Sequence, residues 1–545
     1  MRYTAILLAL LAAACFEDKG NYVYQAVNEV ILDTAKTPTT YTVYVTEQLV
    51  IDPVISATLD EIDPADLSYE WYFYSSSLLV NDWYPTSREK KLDLTMTYNA
   101  GAYRAVLYVT NKRSNLTAHF TFTVNLLSRI SHGVLALHDK NGVADFDYIA
   151  TPATVRDLEE PYHLRDVFRT LHGRSLQGAP LTIAHVGLDG RAVNSIYVST
   201  DQELSRLYAR TFLQDHDAPS LLIPPLPPRL HFEYINGQGG ASGNIVFFIS
   251  DGVLRRVSWG GQYYTDHSIP SPQSPGAALG PGTRLAPACL RPTTSGSIVA
   301  NPVFYDHVGR RFVYLANAAA PNATLEPLPA QVAGSLFDVN NIGKTLRFMD
   351  RGYNYLGLAV FSGGPGDQWL YEINLPKVYT VASATDLAYG RHDMSSLPDI
   401  DDAVAFDCGA KGHFFLYATP SVIYACDYHG ANPDPAARTA PVAAVRLPAD
   451  IPSGEQITGA KIYKYDGGIY SQGGGGSSDP SYIYYAALNS SLLYVSTWDG
   501  AQGRVYEFAI SPVDGSLESA TPLRRFEGLG RVVDMAVKIQ YRESY

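Results

Sequence analysis

Asn244-Ile-Val-Phe-Phe-Ile249 and Val253-Leu-Arg-Arg-Val257 are two apolar runs separated by a polar turn, Ser250-Asp251-Gly252. A run that is apolar at every position belongs to a strand covered on both faces, and the short turn makes the pair an antiparallel hairpin. The same unit recurs on both sides. It is seen in 133–137 with 147–150, 195–199 with 206–209, 311–315, 356–360 with 369–373, 414–417 with 422–425, and 492–495 with 505–508. A strand buried on both faces cannot stand alone, so about seven such hairpins predict stacked sheets around an axis, a β-propeller over residues 129–545. The spacing between units is uneven, roughly sixty residues against the 40–50 of regular propeller repeats, so long loops are expected. Residues 531–537, Arg-Val-Val-Asp-Met-Ala-Val, are placed as the strand that closes the ring on the first blade.

Ahead of the propeller, residues 28–128 read as a β-sandwich. Leu116 to Val124 alternates apolar and polar residues, with Leu116, Ala118, Phe120, Phe122 and Val124 on one face. Before it come Leu67-Ser-Tyr-Glu-Trp71 and Gly101-Ala-Tyr103, a strand with a central Trp and a Gly-x-Tyr strand entry. This set resembles the PKD-like branch of immunoglobulin-like modules, in which the Trp fills the space between sheets. The Trp-x-Phe-Gly-Asp-Gly signature of typical PKD domains is absent. The expected fold class is therefore all-β, an N-terminal Ig/PKD-like sandwich followed by a β-propeller of about seven blades.

Composition agrees. Aromatics make up 12% of the 545 residues, with 39 Tyr, a residue suited to strands. The 44 Gly and 34 Pro supply turns. A formal net charge of −13 argues against nucleic acid as a partner.

The N-terminus points to export. Arg2 precedes an apolar run, 5–14, that is too short to span a bilayer, and the run ends Leu11-Ala-Ala-Ala-Cys15. This resembles a lipobox, which makes 1–14 a signal peptide, Cys15 the lipidated first residue and 15–27 a tether. The following Phe16-Glu-Asp-Lys-Gly-Asn-Tyr22 resembles the Bacteroidetes signal that sends lipoproteins to the outer face of the outer membrane. With the sandwich, it resembles the PKD-like family lipoproteins of that phylum. Asp33-Thr34-Ala35 resembles their O-glycosylation sequon. With Cys15 acylated, Cys289, Cys408 and Cys426 remain. Cys408 and Cys426 could pair across strands, and buried free thiols are the favoured state.

No nucleophile elbow, zinc motif or phosphate loop is present, so no catalytic residue, metal ligand or cofactor is assigned. Residues 139–145 loosely resemble a calcium turn, and a plain Asn-Gly hairpin is favoured. Asp399, Asp401, Asp402 and Asp407 are close in sequence, and a solvated loop is favoured over a paired-carboxylate site. Residues 155–171 carry apolar positions at near-helical spacing and suggest a short helix or lid. Trp259, Tyr263 and Tyr264, on a glycine-bearing loop after a strand, are the candidate ligand-binding residues, because flat rings stack on sugars or corrin-like rings.

The family resemblance implies a surface lipoprotein of the outer membrane. It would bind a carbohydrate or small nutrient as accessory to a SusC/SusD-type TonB-dependent importer. The alternatives are a propeller hydrolase or lyase, which predicts convergent carboxylates at the channel mouth, and an adhesive protein-binding role.

Overall fold

The computed structural model describes residues 27–75, 84–98, 100–155, 158–187, 194–221, 229–238, 244–259, 279, 282–290, 301–316, 323–380, 386–429, 432, 434–464 and 487–539. Cys15 and the segment before it lie outside these residues. The chain divides into two compact units, Met1–Ser128 and Arg129–Tyr545.

The first unit is a β-sandwich. A four-stranded sheet runs Thr40–Tyr44, Leu116–Leu127, Gly101–Asn111, Leu67–Ser75, with the first pair parallel. Two smaller pairs accompany it, Val30–Leu32 with Ile55–Ala57 and Gln48–Ile51 with Leu92–Thr95. Trp71 is fully buried, with its ring 5.5 Å from Phe122 and its Nε1 donating to the Glu89 carbonyl at 3.0 Å. Tyr103 is buried and stacks on Phe73. The alternation of Leu116–Leu127 holds, but burial is complete only at Phe122, Val124 and Leu126, and Leu116 is exposed.

The second unit is a β-propeller of seven sheets among the described residues. From the inside outward, blade one is Arg531–Lys538, Gly133–Asp139, Ala144–Ala150, Tyr162–Leu164. Blade two is Pro180–Gly187, Asn194–Thr200, Leu204–Tyr208, Gln214–Asp217. Blade three is Phe232–Gln238, Asn244–Ser250, Val253–Trp259. Blade four is Val303–Asp306, Arg311–Ala316, Thr324–Pro327, with isolated bridges from Leu285 and Leu290 on its inner side. Blade five is Thr345–Arg351, Leu356–Gly364, Asp367–Asn374, Ala388–Asp393. Blade six is Ala405–Cys408, Phe414–Ala418, Ile423–Asp427, Ala443–Leu447. Blade seven is Gln456–Ile462, Leu492–Trp498, Gly503–Ala509, Arg524–Leu529. Every run read from the sequence falls on a blade strand outside the innermost one, paired in each blade but the fourth, and Arg531–Lys538 pairs antiparallel with Gly133–Asp139, closing the ring.

Burial explains the pattern. Ala144–Ala150 is buried along its whole length and Gly133–Asp139 along all but its last residue. Each blade packs on the next through large apolar side chains. Phe146 meets Phe212 between blades one and two, Tyr197 meets Phe248 between two and three, and Phe247 meets Phe304 between three and four. Tyr305 meets Phe361 between four and five, and Phe348 meets Phe406 between five and six. Leu416 and Leu493 share the core between six and seven, and Tyr494 and Val134 the one between seven and one. Complete burial of such a side chain stabilises by about 1.5–3 kcal/mol, so the faces between blades hold the ring together.

Residues 139–145 form the expected hairpin turn. Asn141 and Gly142 have φ of 59° and 80°, the left-handed pair that a two-residue turn needs. The segment 155–171 is not a lid. Tyr162–Leu164 is the outer strand of blade one, and the helix is only Val167–His172, its first amides bonded to Asp145. Cys408 and Cys426 do not pair. Phe415 lies between them in register, and Cys289, Cys408 and Cys426 are all buried and in no disulfide. No helix among the described residues is long and apolar enough to cross a membrane.

Candidate functional site

The inner strands of six blades end at one polar cavity of about 180 Å³. Blade two brings His185, Val186 and Gly187, and blade three Asn236 and Gly237. Blade five brings Asp350 and Arg351, and Ala410 follows the blade-six strand. Blade seven gives Lys461, Ile462 and Lys464, and blade one Val537 and Ile539. Every contribution comes from the C-terminal end of an inner strand or the residues just after it, so the cavity is one mouth of the central channel.

A repeated local device shapes this mouth. Asp350 Oδ1 accepts from the next backbone N–H, that of Arg351, at 2.7 Å. Asp407 does the same with Cys408 at 2.9 Å, Asn236 with Gly237 at 2.8 Å and Asp534 with Met535 at 2.8 Å. In Asp407 and Asp534 the second carboxylate oxygen reaches the next blade. Asp407 Oδ2 accepts from Ile462 N at 2.8 Å, and Asp534 Oδ2 accepts from Ile183 N at 3.0 Å and Thr182 Oγ1 at 2.8 Å.

Lys464 ties the charged groups together. Its Nζ lies 2.6 Å from Asp350 Oδ2, 2.5 Å from Asp407 Oδ1 and 3.6 Å from Cys408 Sγ. Burial disfavours its charge, but the two carboxylates outweigh burial and hold its pKa well above the usual lysine value. Burial pushes the Cys408 thiol up to about 12, so it stays protonated and donates to the Arg351 carbonyl. His185 is held neutral. Its Nδ1 accepts from Ile539 N–H at 3.4 Å, which places the proton on Nε2, facing Asn194 Oδ1 at 2.6 Å. Burial and then the Lys538 charge lower its pKa to about 3.

The acidic group 399–407 is not one site. Asp399 accepts from the Tyr424 hydroxyl, and Asp401 accepts from Gln368 and from the Gly366 amide, both away from the mouth, whereas Asp407 is fully buried and bonded to the mouth residue Lys464. Trp259 ends its strand opposite Asn244, at the end of blade three where Asn236 and Gly237 line the cavity. Its side chain, and Tyr263 and Tyr264, lie outside the described residues. Sequence reasoning missed Asp350, Lys461 and Lys464. Their available signal was a repeat, Asp350-Arg-Gly352 and Asp407-Cys-Gly409, at the ends of neighbouring inner strands. A Cβ on Gly409 would sit 2.3 Å from the Phe414 ring, so glycine is required where the chain turns into the second strand.

A second polar cluster lies inside blade one. Asp147 accepts from His138 Nε2 at 3.0 Å and His163 Nε2 at 2.7 Å, and Asp166 lies 3.8 Å from His138. Burial opposes the Asp147 charge, but the two imidazoles outweigh it and hold the carboxyl well below the usual range. These atoms have metal-ligand spacing. The fit to an ion is poor, because a metal-bound imidazole passes its other N–H to an acceptor. His138 Nδ1 is buried with no hydrogen-bond partner among the described residues. The cluster is a strand-to-strand clasp, as is the buried pair of His392 and Glu372 in blade five.

No curated protein matches the chain. Among solved structures, a quinoprotein alcohol dehydrogenase-like protein from Bacteroides thetaiotaomicron is similar at 11% identity and a TM-score of 0.39, covering 92% of this chain and 99% of that one. The apo form of AztD from Citrobacter koseri is similar at 13% identity and a TM-score of 0.34, covering 79% and 94%. A β-propeller domain from Myceliophteria thermophila is similar at 10% identity and a TM-score of 0.34, covering 64% and 89%. The propeller assignment rests on the seven sheets and their closure rather than on these likenesses. The family comparison is more specific: residues 15–180 of this chain match the PKD-like family, a match that takes in the described sandwich and the blade-one strands from Gly133 to Leu164.

Proposed function

We propose that this protein is an exported surface lipoprotein that captures a small ligand at the propeller mouth. Cys15 carries the acyl anchor in the outer membrane, facing the exterior, and the captured ligand passes to a SusC/SusD-type TonB-dependent importer. The observation that carries the capture reading is the convergence of six inner strands on one polar cavity. Export is supported by the short apolar run ending at Cys15, and the setting by the PKD-like match. The test is a thermal-shift screen of residues 16–545 against sugars, organic acids, corrinoids and haem, with co-purification of the importer from the source membrane. Ligand at a hundred times its dissociation constant adds about 2.7 kcal/mol of stability, a readable rise in Tm. Silence across the panel together with no importer in the pull-down would sink the proposal.

Asp350 and Asp407 give the hydrolase or lyase reading a specific footing, since they are the convergent carboxylates it requires. Against it, Asp407 is fully buried and both its oxygens are engaged by Lys464, Cys408 N and Ile462 N, which leaves it no proton to exchange with a substrate. Chemical change of a bound ligand in the same screen would restore it.

A further inference from the structure

The cavity at the propeller mouth is small and its charge runs against that of the chain. The whole sequence carries a formal net charge of −13, yet the lining side chains are Arg351, Lys461 and Lys464 against Asp350. Lys464 is neutralised by Asp350 and Asp407, as described. Lys461 is not. Among the described residues its ammonium makes no hydrogen bond or ion pair, and its one recorded electrostatic neighbour is Asp534. Asp534 already accepts from Thr182, Ile183 and Met535. His185 adds no charge, because its Nδ1 accepts a backbone N–H and it is held neutral. Val186, Ile462 and Ile539 also border the cavity, but their side chains are buried in the cores between blades, so the groups facing it are mainly polar.

We propose that the cavity binds one small carboxylate-bearing molecule, a sugar acid or an organic acid, with the carboxylate received by Lys461 and Arg351. The proposal rests on the capture reading and adds the ligand's chemistry to it. A cation that is partly withdrawn from water and lacks a partner favours an incoming anion. Arg351 supplies the planar fork that suits a carboxylate. Size sets the upper limit: pockets for drug-sized ligands run about 300–1,000 Å³, so a cavity of about 180 Å³ holds a single unit and not a glycan chain. Lys464 acts as a positioning residue, fixing Asp350 beside Arg351.

The test is titration calorimetry on residues 16–545 with sodium glucuronate, glucose, citrate and inorganic phosphate, repeated for Lys461→Met and Arg351→Gln. Circular dichroism and Tm confirm that both variants fold. The expected result is binding of glucuronate or citrate, the two arms separating sugar acid from organic acid. Glucose should bind at least about tenfold more weakly, and each variant should lose about tenfold or more in carboxylate affinity. The proposal is overturned if glucose binds as well as glucuronate, if phosphate alone binds, if no carboxylate binds at millimolar concentration, or if folded Lys461→Met binds unchanged. A corrinoid, haem or neutral sugar that binds regardless of Lys461 overturns this proposal and leaves capture standing. Carboxylate binding with no importer partner overturns the uptake role and leaves this proposal standing.

Discussion

Asp534, on the strand that closes blade one, accepts a hydrogen bond from the backbone N–H of Ile183 on blade two at 3.0 Å. The same carboxylate oxygen takes the Thr182 hydroxyl, and the other takes Met535 N–H. Replacing Asp534 with Ala leaves these donors unpaired where water has little access. The expected loss is about 2–4 kcal/mol, read as a lower urea midpoint at an unchanged slope. A variant as stable as the parent would remove Asp534 from the account of ring closure.

Lys464 bridges Asp350 and Asp407, and Asp407 has no exposure at all. Lys464→Met strands both charges and is expected to cost about 3–5 kcal/mol. Adding Asp407→Asn should recover part of that loss, because it removes the fully buried charge. A double variant no more stable than the single one would show that the pair is not coupled through charge.

Lys538 gives a pH signature. Its side chain is fully buried and donates to the Ile130 and Ser131 carbonyls, and burial, helped by Arg210, lowers its pKa to about 7. The unfolded chain holds this proton until pH rises to about 10.4. Between these values the unfolded state binds more protons, so the Lys538 contribution to stability rises with pH, by up to about 1.4 kcal/mol per pH unit. Below pH 7 both states are protonated and the full penalty for burying the charge remains. Unfolding free energies at pH 6, 8 and 9.5 should therefore show a steeper rise for the parent than for Lys538→Met. Parallel pH profiles would contradict the assignment.

The thiols should be silent in the native state. Cys289, Cys408 and Cys426 are buried, and burial raises the pKa of Cys408 to about 12 and that of Cys426 further. Thiolate is the reactive form. A protein lacking Cys15 should leave all three unlabelled by a thiol reagent at pH 8 and show all three in guanidinium. Labelling of Cys408 in the folded protein would mean that the mouth opens to its floor.

The hairpins were legible because a middle strand such as Ala144–Ala150 is covered on both sides and cannot tolerate polar residues except in pairs. The outer strands were not. Ala443–Leu447 is mostly exposed and carries no periodic signal. Inner strands hide for another reason. Ala405–Cys408 is four residues long and has a buried aspartate near its end, so the sequence presents it as the tail of an acidic loop. The mouth was illegible for the same cause compounded by distance. Asp350 and Lys464 are 114 positions apart, and no local spacing announces their meeting. Only the recurrence of Asp-x-Gly at equivalent strand ends carries that information, and two copies are a faint repeat.

The closing strand has a bearing on how the protein is made. Lys538 and Ile130 meet across 408 positions, and the inner edge of Gly133–Asp139 finds its pairing partner only when Arg531–Lys538 has emerged. Until then the nascent chain carries an open apolar β edge, the kind of surface on which chains associate with one another. Contacts this remote in sequence form late. For a chain exported as proposed, ring closure itself requires that the polypeptide stay unfolded until it has cleared the export machinery, and a block in secretion should show up first as aggregation of an incomplete ring.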